Sequence, residues 1–190
     1  CLVGSEMCIR DRWKATQFIP GQVRGRIDET AQMALRLDAA IAEVPLPNGQ
    51  RSDAFARAER AAWEETGEAY RPALLADVPL IPAHTALLTT TVYHGSNPPG
   101  IVDIVPSESP RPAGWTAALV IVDGLIGQAV DDGICQRFSH VPGMPELLLR
   151  AVSYRRYVND LHSASRSNTR SHIERVEQHL VSRASAILER

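Results

Sequence analysis

The sequence predicts an all-α helical bundle, and three observations carry that expectation. Apolar residues recur at steps of three and four in three separate stretches of the 190-residue chain, the spacing of one buried helix face. A further stretch, Trp115 to about Gly133, is apolar nearly all round, as a central, buried helix is. The connections are short, with neither an internal repeat nor a low-complexity tract, so helix follows helix around one core.

Taken in order, the first helix runs from Ile27 to Val44 on the face Ile27, Ala31, Ala34, Leu37, Ile41 and Val44. Pro45, Pro47, Asn48 and Gly49 stop it, and Ser52 or Asp53 caps the next helix, because a short side-chain oxygen accepts the free N–H groups of a first turn. That helix passes through Trp63 to about Thr66, where Gly67 supplies a stop. Residues 72–94 read as further helix interrupted at Pro79 and Pro82, with a strand open as an alternative over Thr89 to Tyr93. Residues 95–114 hold Pro98, Pro99, Pro106, Pro110 and Pro112, a density that no regular helix survives. Leu147, Ala151, Tyr154, Val158 and Leu161 form a second stripe. Ile173, Val176, Leu180, Ala184 and Ile187 form a third, closing on a polar, arginine-bearing face.

Composition bounds the function. The opening stretch, Cys1 to Arg12, has neither helical nor strand periodicity and joins nothing after it. It resembles translated sequencing-adapter read-through and is set aside as non-native, which leaves residues 13–190 as a single helical domain and a fragment. Cys135 then stands alone, so neither a disulfide framework nor a cysteine zinc site is expected. The net charge of −2 hides an asymmetry: residues 13–144 carry 10 basic and 15 acidic side chains, residues 145–190 carry 8 and 5. The arginines of that tail alternate with Glu146, Asp160, Glu174, Glu177 and Glu189, as on a solvated helix surface. Nucleic-acid binding wants a denser patch or interleaved aromatics, so no such partner is expected. The longest apolar run, Ala117 to Val122, ends at Asp123, far short of the ~20 residues that span a bilayer. No secretory leader is legible, and a cytoplasmic location is the expectation.

The sharpest chemistry lies in Asn159-Asp160-Leu161-His162-Ser163-Ala164-Ser165-Arg166-Ser167. Asn159, Ser163 and Ser167 fall at i, i+4 and i+8, which sets three hard oxygens on one face of a helix. Such oxygens suit Mg²⁺, which keeps several waters besides its protein ligands. A helix ending in small polar residues explains the same letters.

These residues match in register the N-D-x-x-S-x-x-K/R-E motif of class I terpene synthases of the bacterial type, which the chain resembles over residues 30–180. Three further segments fall in the family's order. Pro45-Leu46-Pro47-Asn48 with Trp63-Glu64-Glu65-Thr66 is similar to the proline-rich loop and W-x-x-T helix of the geosmin-type subgroup. Arg111-Pro112-Ala113-Gly114-Trp115-Thr116-Ala117-Ala118-Leu119-Val120 is similar to its R-x-x-G-G-x-P-W-S-A-x-L-V segment.

The resemblance implies Mg²⁺ held by Asn159, Ser163 and Ser167, and Arg111 and Arg166 on the diphosphate of a prenyl substrate. It also implies a helix break at Gly114 that takes part with Arg111 in ionisation. Trp115 and Phe138 are aromatic candidates beside a carbocation, with core packing as the competing role. On this reading Asn159, Ser163 and Arg111 converge at one cavity mouth. Ser167 stands where the family has a glutamate, and no Asp-rich motif is legible before residue 27, so weak or absent turnover is expected. The alternative is a non-catalytic helical interaction or regulatory module. Asp131-Asp132 reads more simply as a helix C-terminus before Gly133, His94-Gly95-Ser96-Asn97 as a turn, and His172 with His179 as a polar helix face.

Overall fold

The computed structural model describes residues 6–8, 13–15, 18–45, 51–69, 77–161 and 167–188, with side chains described for 18–45, 51–65, 77–161 and 169–185. Among them run seven helices: α1 (Ile27–Ile41), α2 (Ala54–Ala69), α3 (Leu87–Thr90), α4 (Trp115–Ile126), α5 (Gly133–Arg137), α6 (Met144–Leu161) and α7 (Ser167–Leu188). The chain is mostly helical but not all-α. Short strands β1 (Glu6–Cys8) and β2 (Trp13–Ala15) pair antiparallel. A second antiparallel sheet has the order β3 (Gln22–Val23), β5 (Thr91–Tyr93), β6 (Gly100–Ile101). A third joins β4 (Leu80–Ile81) to β7 (Arg111–Pro112), with Ile81 opposite Arg111.

α4 is the axis. Ten of its residues are buried, from Trp115 to Leu125. Each large apolar side chain removed from water contributes roughly 1.5–3 kcal/mol before ordering costs. α1 and α6 pack along α4, α2 lies on α6, and α7 closes over α4 and α6. α1 approaches closely because Gly124 has no side chain: a Cβ there would stand 2.7 Å from Ile27 Cγ2. α4 opens on Gly114, whose φ of 96° favours glycine. A Cβ at that residue would also meet Val141 Cγ1 at 2.9 Å.

Several expectations hold and several need correction. The stripe of α1 is buried at Ile27, Ala31 and Ala34, but Val44 is exposed and lies beyond the helix end. Asp53 caps α2, its Oδ1 accepting the N–H groups of Phe55 and Ala56, both at 3.0 Å. Gly67 does not stop α2, which continues to Ala69. The further helix expected across 72–94 shrinks, over the described residues 77–94, to the four residues of α3 between strands. Prolines 79 and 82 and the β-branched run Thr89–Val92 favour extended pairing there. α4 ends at Ile126 and not near Gly133, because Gly127 caps it and Gln128 takes a φ of 54°. Residues 95–114 form no helix, and the turn expected at His94–Asn97 closes with Asn97 N–H donating to the His94 carbonyl at 3.0 Å.

Candidate functional site

Arg111 reaches the centre of the molecule because β7 pairs with β4 and delivers it against α2. It is buried, and its Nε donates to Glu59 Oε1 at 2.5 Å. Its guanidinium carbon lies 4.5 Å from the centre of the Trp63 ring. Arg150 of α6 shares that ring at 4.4 Å and donates from Nη2 to Glu146 Oε1 at 2.8 Å. Trp63 packs edge-on against Trp115 at 5.3 Å, and Trp115 meets Tyr154 at 6.2 Å. Burial pushes the Glu146 carboxyl above its ordinary range even with Arg150 beside it. Two buried cations therefore each face a buried acid, with aromatic rings filling the space between.

The resemblance's other residues fall elsewhere. Gly114 sits at the start of α4, its N–H donating to Asp38 Oδ2 at 2.8 Å. The break there lies between a short strand and a helix, not between two helices. Asn159 is half-buried near the end of α6, nine residues past Arg150, roughly 13 Å of rise at ~1.5 Å per residue. Arg111 shares the Trp63 ring with Arg150. α7 runs antiparallel to α6, as the Arg156–Glu177 and Asp160–Arg170 ion pairs at 3.5 and 3.9 Å require. Asn159 and Ser167 thus stand on different, antiparallel helices, not on successive turns of one. Ser163 and Arg166 lie outside the described residues, as does the side chain of Ser167.

Of the three oxygens expected around Mg²⁺, only that of Asn159 lies among the described side chains. Asn159 offers a neutral amide, and the neighbouring carboxylate of Asp160 faces Arg170, whereas Mg²⁺ sites are built on at least one carboxylate. No group of three or more His, Cys, Asp or Glu side chains gathers around a metal position among the described residues. Trp115 and Phe138 are 0% and 2% exposed; Trp115 packs on Trp63 and Tyr154, and Phe138 stacks on His140.

A surface groove of about 390 Å³ opens between α1 and the end of α5 with the residues that follow it, lined by Asp28, Gln32, Leu35, Arg36, Arg137, Phe138 and His140. Arg137 donates from Nε and Nη2 to Asp28 at 2.7 and 2.9 Å. Arg36 makes no ion pair among the described residues.

Asp131 and Asp132 stand at the N-terminus of α5 and not at a helix C-terminus. Asp131 Oδ1 accepts the Gly133 N–H at 3.0 Å, and Asp132 lies 3.3 Å from His179 Nε2. Acids there are favoured by the helix dipole. His172 and His179 are half-buried.

Sequence reasoning missed Asp38, Glu59, Glu146 and Arg150 as buried charges. Three carried a signal: Asp38 continues the stripe Ala31, Ala34 at the next step of four, and Glu146 and Arg150 are four apart on either side of Leu147. No helix among the described residues is long and apolar enough to cross a membrane. No protein-family model matches the chain, and comparison with curated proteins and with solved structures finds no match.

Proposed function

We propose that this chain is a non-catalytic helical binding module whose groove between α1 and residues 137–140 takes a carboxylate-bearing segment of a partner protein. The observation that carries the reading is the fate of Arg111: the guanidinium that the terpene-synthase resemblance gives to a diphosphate is buried on Glu59 and Trp63. Trp115 and Tyr154, both fully buried, fill the neighbouring interior where a prenyl chain would need room. Charge complementarity supports the occupant. Arg36, Arg137 and His140 line the groove against one acid, Asp28, which Arg137 already holds, and Leu35 and Phe138 supply apolar contact. Arg36, which makes no ion pair among the described residues, can pair with a carboxylate bidentately.

The test is an NMR titration with a hexaglutamate peptide at low and high salt. The account expects shifts confined to Gln32, Arg36, Arg137 and His140 that fade as salt screens them; no shift there sinks the proposed site. The register of Asn159, Asp160, Ser163 and Arg166 supports a second reading, Mg²⁺-dependent ionisation of a prenyl diphosphate. Robust diphosphate release from farnesyl or geranyl diphosphate with Mg²⁺ would establish that reading and end the first.

A further inference from the structure

Asp38 lies on the inward face of α1 where that helix crosses the start of α4, and only 4% of it is exposed. One carboxyl oxygen, Oδ2, accepts the N–H of Gly114 at 2.8 Å. The hydroxyl of Thr116, which itself accepts the His84 N–H at 3.0 Å, lies against the same carboxyl. The other oxygen, Oδ1, is buried with no hydrogen-bond partner among the described residues. An ionised carboxylate in that position carries an uncompensated lone-pair set away from water, which is costly. The neutral acid keeps the Gly114 contact without the charge.

We propose that Asp38 is a proton-operated latch between α1 and α4: neutral, it seats α1 on the start of α4, and ionised, it loosens that seam.

The groups around it do not neutralise the charge, because each has its own partner. On α4, Asp123 is held by Arg155; at the strand leading into α4, Arg111 is held by Glu59; on α6, Glu146 holds Arg150. Ahead of α3, the His84 ring is hydrogen-bonded at both nitrogens, Nδ1 accepting the Ala86 N–H and Nε2 facing the Asp103 carbonyl. On β5, the Tyr93 hydroxyl is tied to Thr30. On α1 itself, Asp28 and Glu29 pair with Arg137 and Arg26; Arg36 on α1 and Glu43 just past its end are exposed to water and do not reach the buried carboxyl.

Burial raises the Asp38 carboxyl from 3.8 to about 6. A folded pKa above the unfolded one means stability that is complete below 3.8 and lost as pH rises through 6. Burial lowers the His84 pKa, so its contribution runs the opposite way and cannot imitate the latch. Glu146 is raised and runs the same way, so the Asp38 variant must separate the two. Asp28, Gln32, Leu35 and Arg36 make one wall of the groove proposed above, so loosening α1 would also loosen that wall. That consequence rests on the groove reading; the latch does not.

The experiment is hydrogen exchange of the α1 amides on the full chain from pH 5 to pH 8, corrected for intrinsic rates. In the wild type the opening constant of α1 should rise roughly tenfold over that range, and in Asp38→Asn it should stay level. A level wild-type profile, or an equal rise in Asp38→Asn, overturns the latch. Should Asp38→Asn fail to fold, the carboxyl carbon shift of Asp38 in the wild type decides: a midpoint near 6 supports the latch, and one near 3.8, the value of a solvated carboxyl, ends it.

Discussion

Arg111 and Arg36 are the same side chain in opposite circumstances. Arg111 is buried, bonded to Glu59 and packed on Trp63, while Arg36 rims an open groove with no ion pair among the described residues. In the interior a charge persists only when paired, because the desolvation of a lone ion there costs several kcal/mol. Glu59 therefore commits Arg111 to the fold, and an arriving anion would have to displace a partner already in contact. At the surface water bears that cost, so Arg36 needs no partner among the described residues to keep its charge. The contrast teaches that a motif arginine is a ligand contact only where its surroundings leave it uncommitted.

The comparison can be broken at either end. Arg111→Met strands Glu59 in the core and should cost about 3–5 kcal/mol, read as a fall in the urea midpoint. Retention of wild-type stability would free Arg111 for another role. Trp63→Ala removes the ring that both core guanidiniums pack on and should cost about 3 kcal/mol, measured the same way. Arg137→Ala opens the exposed Asp28 pair and should lower stability much less than either core variant, yet weaken the hexaglutamate probe. Arg36→Ala should leave the thermal midpoint unchanged while reducing probe affinity several-fold; an unchanged affinity removes Arg36 from the site.

The helices with clear stripes were legible because periodicity is a local property. Ile27 through Ala34 and Leu147 through Tyr154 announce their buried faces in their own letters, although Leu161 at the end of the second stripe is exposed, and Asp53 announces the cap of α2. The strands were not legible in the same way. β4 and β7, two residues each, exist only because Leu80 and Pro112 meet across a long stretch of intervening chain, and nothing local to either encodes that meeting. Expecting three oxygens on one helix face required the helix to continue past Leu161. The antiparallel seating of α7 through Arg156–Glu177 is a tertiary fact that spacing at 159, 163 and 167 does not carry. The Arg111–Glu59 pair is hidden for the same reason, since the two residues lie 52 apart in the chain.

The most direct measurement is a double-mutant cycle at the central pair: urea unfolding of the wild type, Glu59→Leu, Arg111→Met and the double variant. If Arg111 belongs to the fold, the two single losses exceed the loss in the double variant, with a coupling of about 2 kcal/mol or more. Additive effects, with Arg111→Met as stable as the wild type, would contradict the account and return Arg111 to the pool of ligand-binding residues.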